Sequence, residues 1–216
     1  MTMSVRTFWI LFGSIVAFSP MLAGDKAYDA AIKKAAQALG AGNLAEADKQ
    51  ADVAAKLDPA SAQTANLRGV IAAQRKQYED AASRFTEAIA ADGKFYPAKL
   101  NLADLLLLQG KWADARTRYE ELQRVDPKSE VLQFKIVVAD VLDGRQVQAN
   151  QLINDMTFPG NTPAYYFARA AVLLKQSQEK EAQQYFTNAR KYYDEQQCAY
   201  FMRFLQQNGL TKPGTK

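Results

Sequence analysis

From residue 25 onward apolar side chains recur every three or four positions, with charged and amide residues between them, and the alternation a strand would show is almost absent. This spacing predicts helices over Lys26 to Leu39, Leu44 to Leu57, Ser61 to Arg75, Tyr78 to Ala91, Pro97 to Gln109, Trp112 to Val125, Ser129 to Leu142, Gln146 to Met156, Pro163 to Lys175 and Glu179 to Tyr193. A further helix follows Asp194, where "DEQQCAYFMRFLQQNG" opens on an Asp-x-x-Gln capping pattern and closes at Asn208-Gly209, a common helix stop.

The helices repeat in pairs. Ala47, Ala81, Ala115 and Ala149 are each 34 residues apart, and Ala182 follows 33 residues later. Five positions before each alanine stand Gly42, Lys76, Gly110, Gly144 and Ser177, and four after stand Ala51, Phe85, Tyr119, Ile153 and Phe186. Small residues Ala35, Gly69, Ala103 and Ala170 precede the alanine by twelve, with Val137 the exception. Antiparallel helices approach closely only where small residues face each other, so Gly69 is expected against Ala81 and Ala103 against Ala115, with the larger residue filling the gap to the next pair. Asp-Pro at 58–59 and 126–127 ends a pair, since proline cannot continue the hydrogen-bond ladder and restrains the residue before it. Trp112, two positions after Gly110, is expected to plug the open end of its hairpin.

A 34-residue unit with small, small, aromatic and proline positions in this order resembles the tetratricopeptide repeat (TPR) family. The resemblance implies an all-α fold, a right-handed superhelix of stacked antiparallel hairpins with a C-terminal capping helix. It divides the chain into a leader at 1–24, a repeat domain at 25–210 with units near 28–61, 62–95, 96–129, 130–162 and 163–194, a cap at 195–208 and a flexible tail at 211–216. The pattern departs from the family in two places: the aromatic expected early in the first helix is Tyr166 in the last unit but Lys99 in the third, and the fourth unit ends irregularly in "MTFPGNTP". The cap would cover the last hairpin with Tyr200, Phe201, Phe204 and Leu205. A homodimer contact through the same side chains is the alternative.

In such an array the first helix of each unit lines the concave face, and the resemblance implies that this face holds a protein or peptide partner. Transferred to this sequence, the groove positions are Asn66 and Val70; Leu100, Asn101, Asp104 and Leu107; Phe134, Lys135, Val138 and Val141; and Phe167, Ala171 and Leu174. The later ones are mostly apolar, which favours an apolar peptide or helix as the occupant. Some family members grip a terminal carboxylate with Lys, Asn and Arg. Here Asn101 and Lys135 match that clamp, but Val70 and Val131 stand where it needs Asn and Lys, so the clamp is not expected. The function implied is a non-enzymatic interaction scaffold or adaptor of the cell envelope. A permanent structural subunit of an envelope assembly or secretion complex is the alternative.

The envelope placement comes from "MTMSVRTFWILFGSIVAFSPMLAG". Arg6 supplies a positive start, Phe8 to Phe18 an apolar run, and Ser19-Pro20 break it before the small Ala23 and Gly24, as in a secretory signal peptide. The expected product is exported to the periplasm or secreted. Met21 and Leu22 are larger than the residues usually found before a cleavage site. An uncleaved anchor is the alternative, although the run falls short of the roughly 20 residues a spanning helix needs.

Composition narrows the chemistry further. With 27 Lys and Arg against 23 Asp and Glu, interleaved along helical faces, there is no basic stripe of the kind nucleic acid requires. Absence of histidine and a single cysteine, Cys198, exclude the usual zinc sets, His general bases and Cys/His nucleophiles, and no internal disulfide can form. Cys198 reads as a small buried hydrophobe. Asp104 and Asp140, on neighbouring first helices, are the one carboxylate pair with the chemistry of a hydrolase, but nothing that would bind substrate accompanies them. No catalytic residue, metal, cofactor or small-molecule substrate is expected.

Overall fold

The computed structural model describes residues 26–212. Residues 1–24, read above as a leader, and 213–216 of the expected tail lie outside them. Among the described residues the chain forms eleven helices and no strand: α1 (Lys26–Gly40), α2 (Leu44–Leu57), α3 (Ala62–Gln74), α4 (Tyr78–Ala91), α5 (Tyr96–Leu108), α6 (Trp112–Val125), α7 (Glu130–Leu142), α8 (Gln146–Asp155), α9 (Ala164–Lys175), α10 (Glu179–Ala189) and α11 (Glu195–Gln207). The fold class is the all-α TPR solenoid. Helix ends agree with the sequence pattern to within one residue except that α10 stops at Ala189, four short of Tyr193. The reason is local: Asp194 is extended so that it can cap α11, and the chain must leave the helix before it.

Each hairpin turns at the position five before the recurring alanine. Gly42, Lys76, Gly110, Gly144 and Ser177 have φ of 73°, 61°, 77°, 78° and 59°, the left-handed region. This conformation sends the next amide back to a carbonyl of the helix just ended, as in a Schellman motif. Asn43 N–H donates to Ala38 O at 2.9 Å, Gln77 to Ala72 at 2.9 Å, Lys111 to Leu106 at 2.9 Å, Arg145 to Asp140 at 2.7 Å and Gln178 to Leu173 at 2.9 Å. The second helices α4, α6, α8 and α10 lack a side-chain cap. Two first helices, α3 and α7, are capped by serine: the Ser61 and Ser129 hydroxyls accept from Thr64 N–H and Leu132 N–H.

Contacts divide the chain into two compact units, Met1–Leu105 and Leu106–Lys216, the boundary falling inside α5. In the first unit α1 packs on α2 and α3, and α3 on α4. Tyr28 on α1 shares hydrogen bonds with Ser61 and with Thr64, the latter at 3.1 Å, which pins α1 to the start of α3. Ala81, Phe85 and Ala88 of α4 are fully buried. Gly69, expected against Ala81, has the Phe85 ring as its nearest neighbour. A Cβ on Gly69 would lie 2.5 Å from Cε1 of Phe85, so the glycine makes room for that ring inside its own hairpin.

In the second unit α6 packs on α7, α7 on α8 and α9, and α9 on α10 and α11. Ala115 is fully buried and Ala113 exposed, which confirms the register of the repeat. Trp112, expected to be enclosed, is only half-buried: as the first residue of α6 it has no preceding helical turn to cover it. The irregular loop after α8 is organised by one carboxylate. Glu130 accepts from Asn161 N–H at 2.7 Å and from Thr162 N–H and hydroxyl at 2.8 and 2.6 Å, while Tyr193 donates its hydroxyl to Gly160 O at 2.9 Å.

Two substitutions test this account by denaturant midpoint. Lys76→Gly removes a left-handed side chain that costs roughly 1–2 kcal/mol, partly offset by the greater freedom of glycine when unfolded, so a gain of about 1 kcal/mol is expected. Gly69→Ala would add about 1 kcal/mol from helix propensity alone, but overpacking against the buried Phe85 ring costs about 1–3 kcal/mol. The steric effect should win and the midpoint should fall; a rise would mean the ring has room to move.

Candidate functional site

The residues that the repeat phase assigns to partner binding fall into two chemically distinct groups. In the first unit Asn101 on α5 donates its amide nitrogen to Asn66 Oδ1 on α3 at 2.8 Å, and both side chains are fully buried. The pair leaves one donor, Asn66 Nδ2, and one acceptor, Asn101 Oδ1, without a protein partner. Leu100 and Asp104 are buried beside them on α5. Leu107, further along the same helix, is buried in the second unit.

The second unit carries the apolar group. Phe134 and Val138 on α7 and Phe167 on α9 are fully buried, while Leu174 near the end of α9 is half-buried. Rings of α11 cover the two phenylalanines. The Phe134 ring meets Phe201 edge-on at 4.8 Å and Phe204 at 5.5 Å, and Phe167 meets Phe201 at 5.5 Å and Phe186 at 5.1 Å, separations typical of favourable aromatic pairs. Lys135 is buried with its ammonium 4.1 Å from the centre of the Phe204 ring, 5.7 Å from Tyr119 and 5.9 Å from Tyr200. A cation among ring faces is stabilised by their quadrupoles, which suits aromatic company better than the carboxylate that a clamp lysine would hold.

This placement extends the reading of α11. As expected of a cap, α11 packs on α9 of the last hairpin. Its rings also reach Phe134 of α7, so it lies across two first helices on the face they share. Cys198, Phe201, Met202, Phe204 and Leu205 form its buried side. Phe201, Phe204 and Leu205, expected to cover the last hairpin, are buried against the chain's own surface. The sequence did carry a signal: five bulky or sulfur-bearing residues on one face are more than an alanine-rich hairpin needs as a lid.

The remaining candidates have structural partners. Asp140 is buried and accepts from Arg116 Nε at 2.7 Å, and Arg116 also reaches Glu120 at 2.8 Å, which ties α6 to α7. Burial pushes the Asp140 carboxyl above its ordinary range, with Arg116 pulling the other way. Burial likewise raises the Cys198 thiol, with Arg190 pulling the other way. Among the described residues no group of three or more Cys, Asp and Glu side chains is placed to hold a metal, and no helix is long and apolar enough to cross a membrane.

Comparison with known proteins agrees with this architecture. Residues 72–135 match the tetratricopeptide repeat family. Among solved structures the chain is similar to PilF of Pseudomonas aeruginosa, at 18% identity and a TM-score of 0.65 over 88% of this chain and 96% of that one. It is also similar to a thermophilic TPR protein of Thermus thermophilus, at 15% identity and a TM-score of 0.65 over 83% and 98%. YrrB, described as a TPR protein with an unusual peptide-binding site, aligns at 14% identity and a TM-score of 0.53 over 84% and 100%. At these identities the likeness speaks to the fold. No curated protein matches the sequence. The family's signature thus lies over the central helices, and the same left-handed turn and buried alanine seam recur before and after them, so the chain has the tetratricopeptide repeat fold.

Proposed function

We propose that this protein is a non-enzymatic scaffold of the cell envelope that holds an apolar peptide or amphipathic helix of a protein partner on its first-helix face. The observation that carries the reading is the apolar surface of α7 and α9, where Phe134, Val138 and Phe167 accept the amphipathic helix α11. A face that seats one such helix has the shape and polarity to seat another. The tetratricopeptide fold is in general a scaffold for protein partners, and the peptide-binding site described for YrrB supports a peptide as the class of ligand. Asp140, one of the two carboxylates considered for hydrolysis, is engaged by Arg116, which fits a structural duty. The envelope location rests on Arg6, the apolar run to Phe18 and the Ser19-Pro20 break.

Photocrosslinking tests both parts together. A photoreactive residue replaces Leu174, half-buried on α9, or Thr187, exposed on α10, in intact cells that are then fractionated. The expected result is a discrete adduct with one protein from position 174 and none from 187, recovered in the envelope fraction with the N-terminus at Gly24 or Asp25. Equal adducts from both positions would remove the assignment to this face. A cytosolic product with an intact N-terminus would remove the envelope location.

A further inference from the structure

We propose that α11 is a built-in occupant of the binding face in the second unit, and that the partner recognised there is an amphipathic helix bearing aromatic side chains three residues apart, which takes the seat by displacing α11. The inference deepens the scaffold reading and rests on it.

Three observations point the same way. The first is position: α11 spans two first helices, meeting Phe167 on α9 and Phe134 on α7, the face where the repeat phase puts partner contacts. The second is pattern. The buried residues Cys198, Phe201, Met202 and Leu205 follow the i, i+3, i+4, i+7 spacing by which a helix lays one face into a groove, with Phe204 added over Lys135. Phe201 sits between Phe134 and Phe167, and Phe204 caps the Lys135 ammonium, so an incoming helix would need rings at these two places. The third is imperfect satisfaction. Arg203 Nε, Gln207 Oε1 and Asn208 Oδ1, all on α11 or its last turn, are buried without a protein partner, and burial also lowers the Arg203 pKa. Buried polar groups left unpaired weaken a docked helix.

The connection permits departure. α10 ends at Ala189, turns carry the chain through Arg190 to Tyr193, and Asp194 starts α11 with its own capping box, closed with Gln197. The cap belongs to α11 itself, so the helix can leave as a folded segment. The hairpins beneath are closed by their own contacts, α7 on α8 and α9 on α10. Left bare, Phe134 and Phe167 would form an exposed aromatic patch, which gives the chain a reason to cover the face until a competitor arrives.

The test uses the full chain and a labelled synthetic peptide of residues 194–208. The apparent affinity of a ligand scales with the fraction of molecules whose site is open, so the wild type should bind the peptide weakly. Phe201→Ala with Phe204→Ala, which loosens the chain's own helix, should bind it about tenfold tighter or more. Adding Phe134→Ala should cancel that gain, and a peptide with both phenylalanines replaced by alanine should not bind. No gain in a folded double variant would overturn the proposal. Should the double variant fail to fold, hydrogen exchange on the wild type decides. Amides of α11 are expected to exchange faster than those of α7 and α9, and faster still with peptide added; exchange at the common rate of α9 would make α11 an integral part of the fold and overturn the displacement. Light scattering completes the experiment: a monomer throughout supports a foreign helix as occupant, whereas a dimer that the peptide splits would assign the seat to the α11 of a second copy and overturn the proposed partner. None of these readouts depends on crosslinking at Leu174, so either idea can fail while the other stands.

Discussion

Two antiparallel helices can come only as close as the side chains between them allow, and in this chain one methyl group sets that distance. Ala47, Ala81, Ala115, Ala149 and Ala182 are all fully buried, one per hairpin. Close approach at the seam requires a tight turn, which the left-handed residue five positions earlier provides. Four positions later stands one buried side chain, which is Phe85, Tyr119, Ile153 or Phe186 in four of the hairpins and Ala51 in the first. A bulky residue at the seam would undo the turn, the ring packing and the spacing of the first helices together. The face formed by the first helices depends on the alanine as well.

That chain of dependence explains what could be read before the structure. Turn, seam, ring and cap are all separated by a fixed number of residues, so the 34-residue phase carries them, and the helix ends follow to within one residue nearly everywhere. Contacts set by return of the chain were less legible. The sequence assigns Phe134 and Phe167 to an open face, yet both are fully buried, because the distant helix α11 folds back onto them. No spacing rule relates Phe201 to Phe134. Glu130 is a similar case: as the first residue of α7 it reads as a dipole-favoured acid at a helix start, and only the fold shows it gathering the loop at Asn161 and Thr162. Trp112 shows the opposite limit, since the phase placed it correctly in the chain but said nothing of how far solvent reaches the first turn of α6.

The two groups of positions that the repeat phase assigns to partner binding differ in chemistry. Asn66 and Asn101 keep one free donor and one free acceptor between them, a polarity that suits a peptide backbone. Phe134, Val138 and Phe167 offer area and ring geometry, which suits side chains. Neither group supplies what a carboxylate grip needs. Lys135, which matched that motif by position, has its ammonium among the rings of Tyr119, Tyr200 and Phe204.

The aromatic face also links stability with recognition. Burying Phe134 and Phe167 stabilises the fold by roughly 1.5–3 kcal/mol for each ring removed from water, and α11 contributes part of that burial through Phe201 and Phe204. A partner that displaces α11 must therefore restore most of the same burial, or the exchange would be uphill. This condition selects for helices whose apolar face resembles that of α11. It disfavours extended or polar peptides, which would leave the rings partly wet. In the exchange proposed above, specificity would come from what the chain already does to itself, the intramolecular helix setting the threshold that a partner has to exceed.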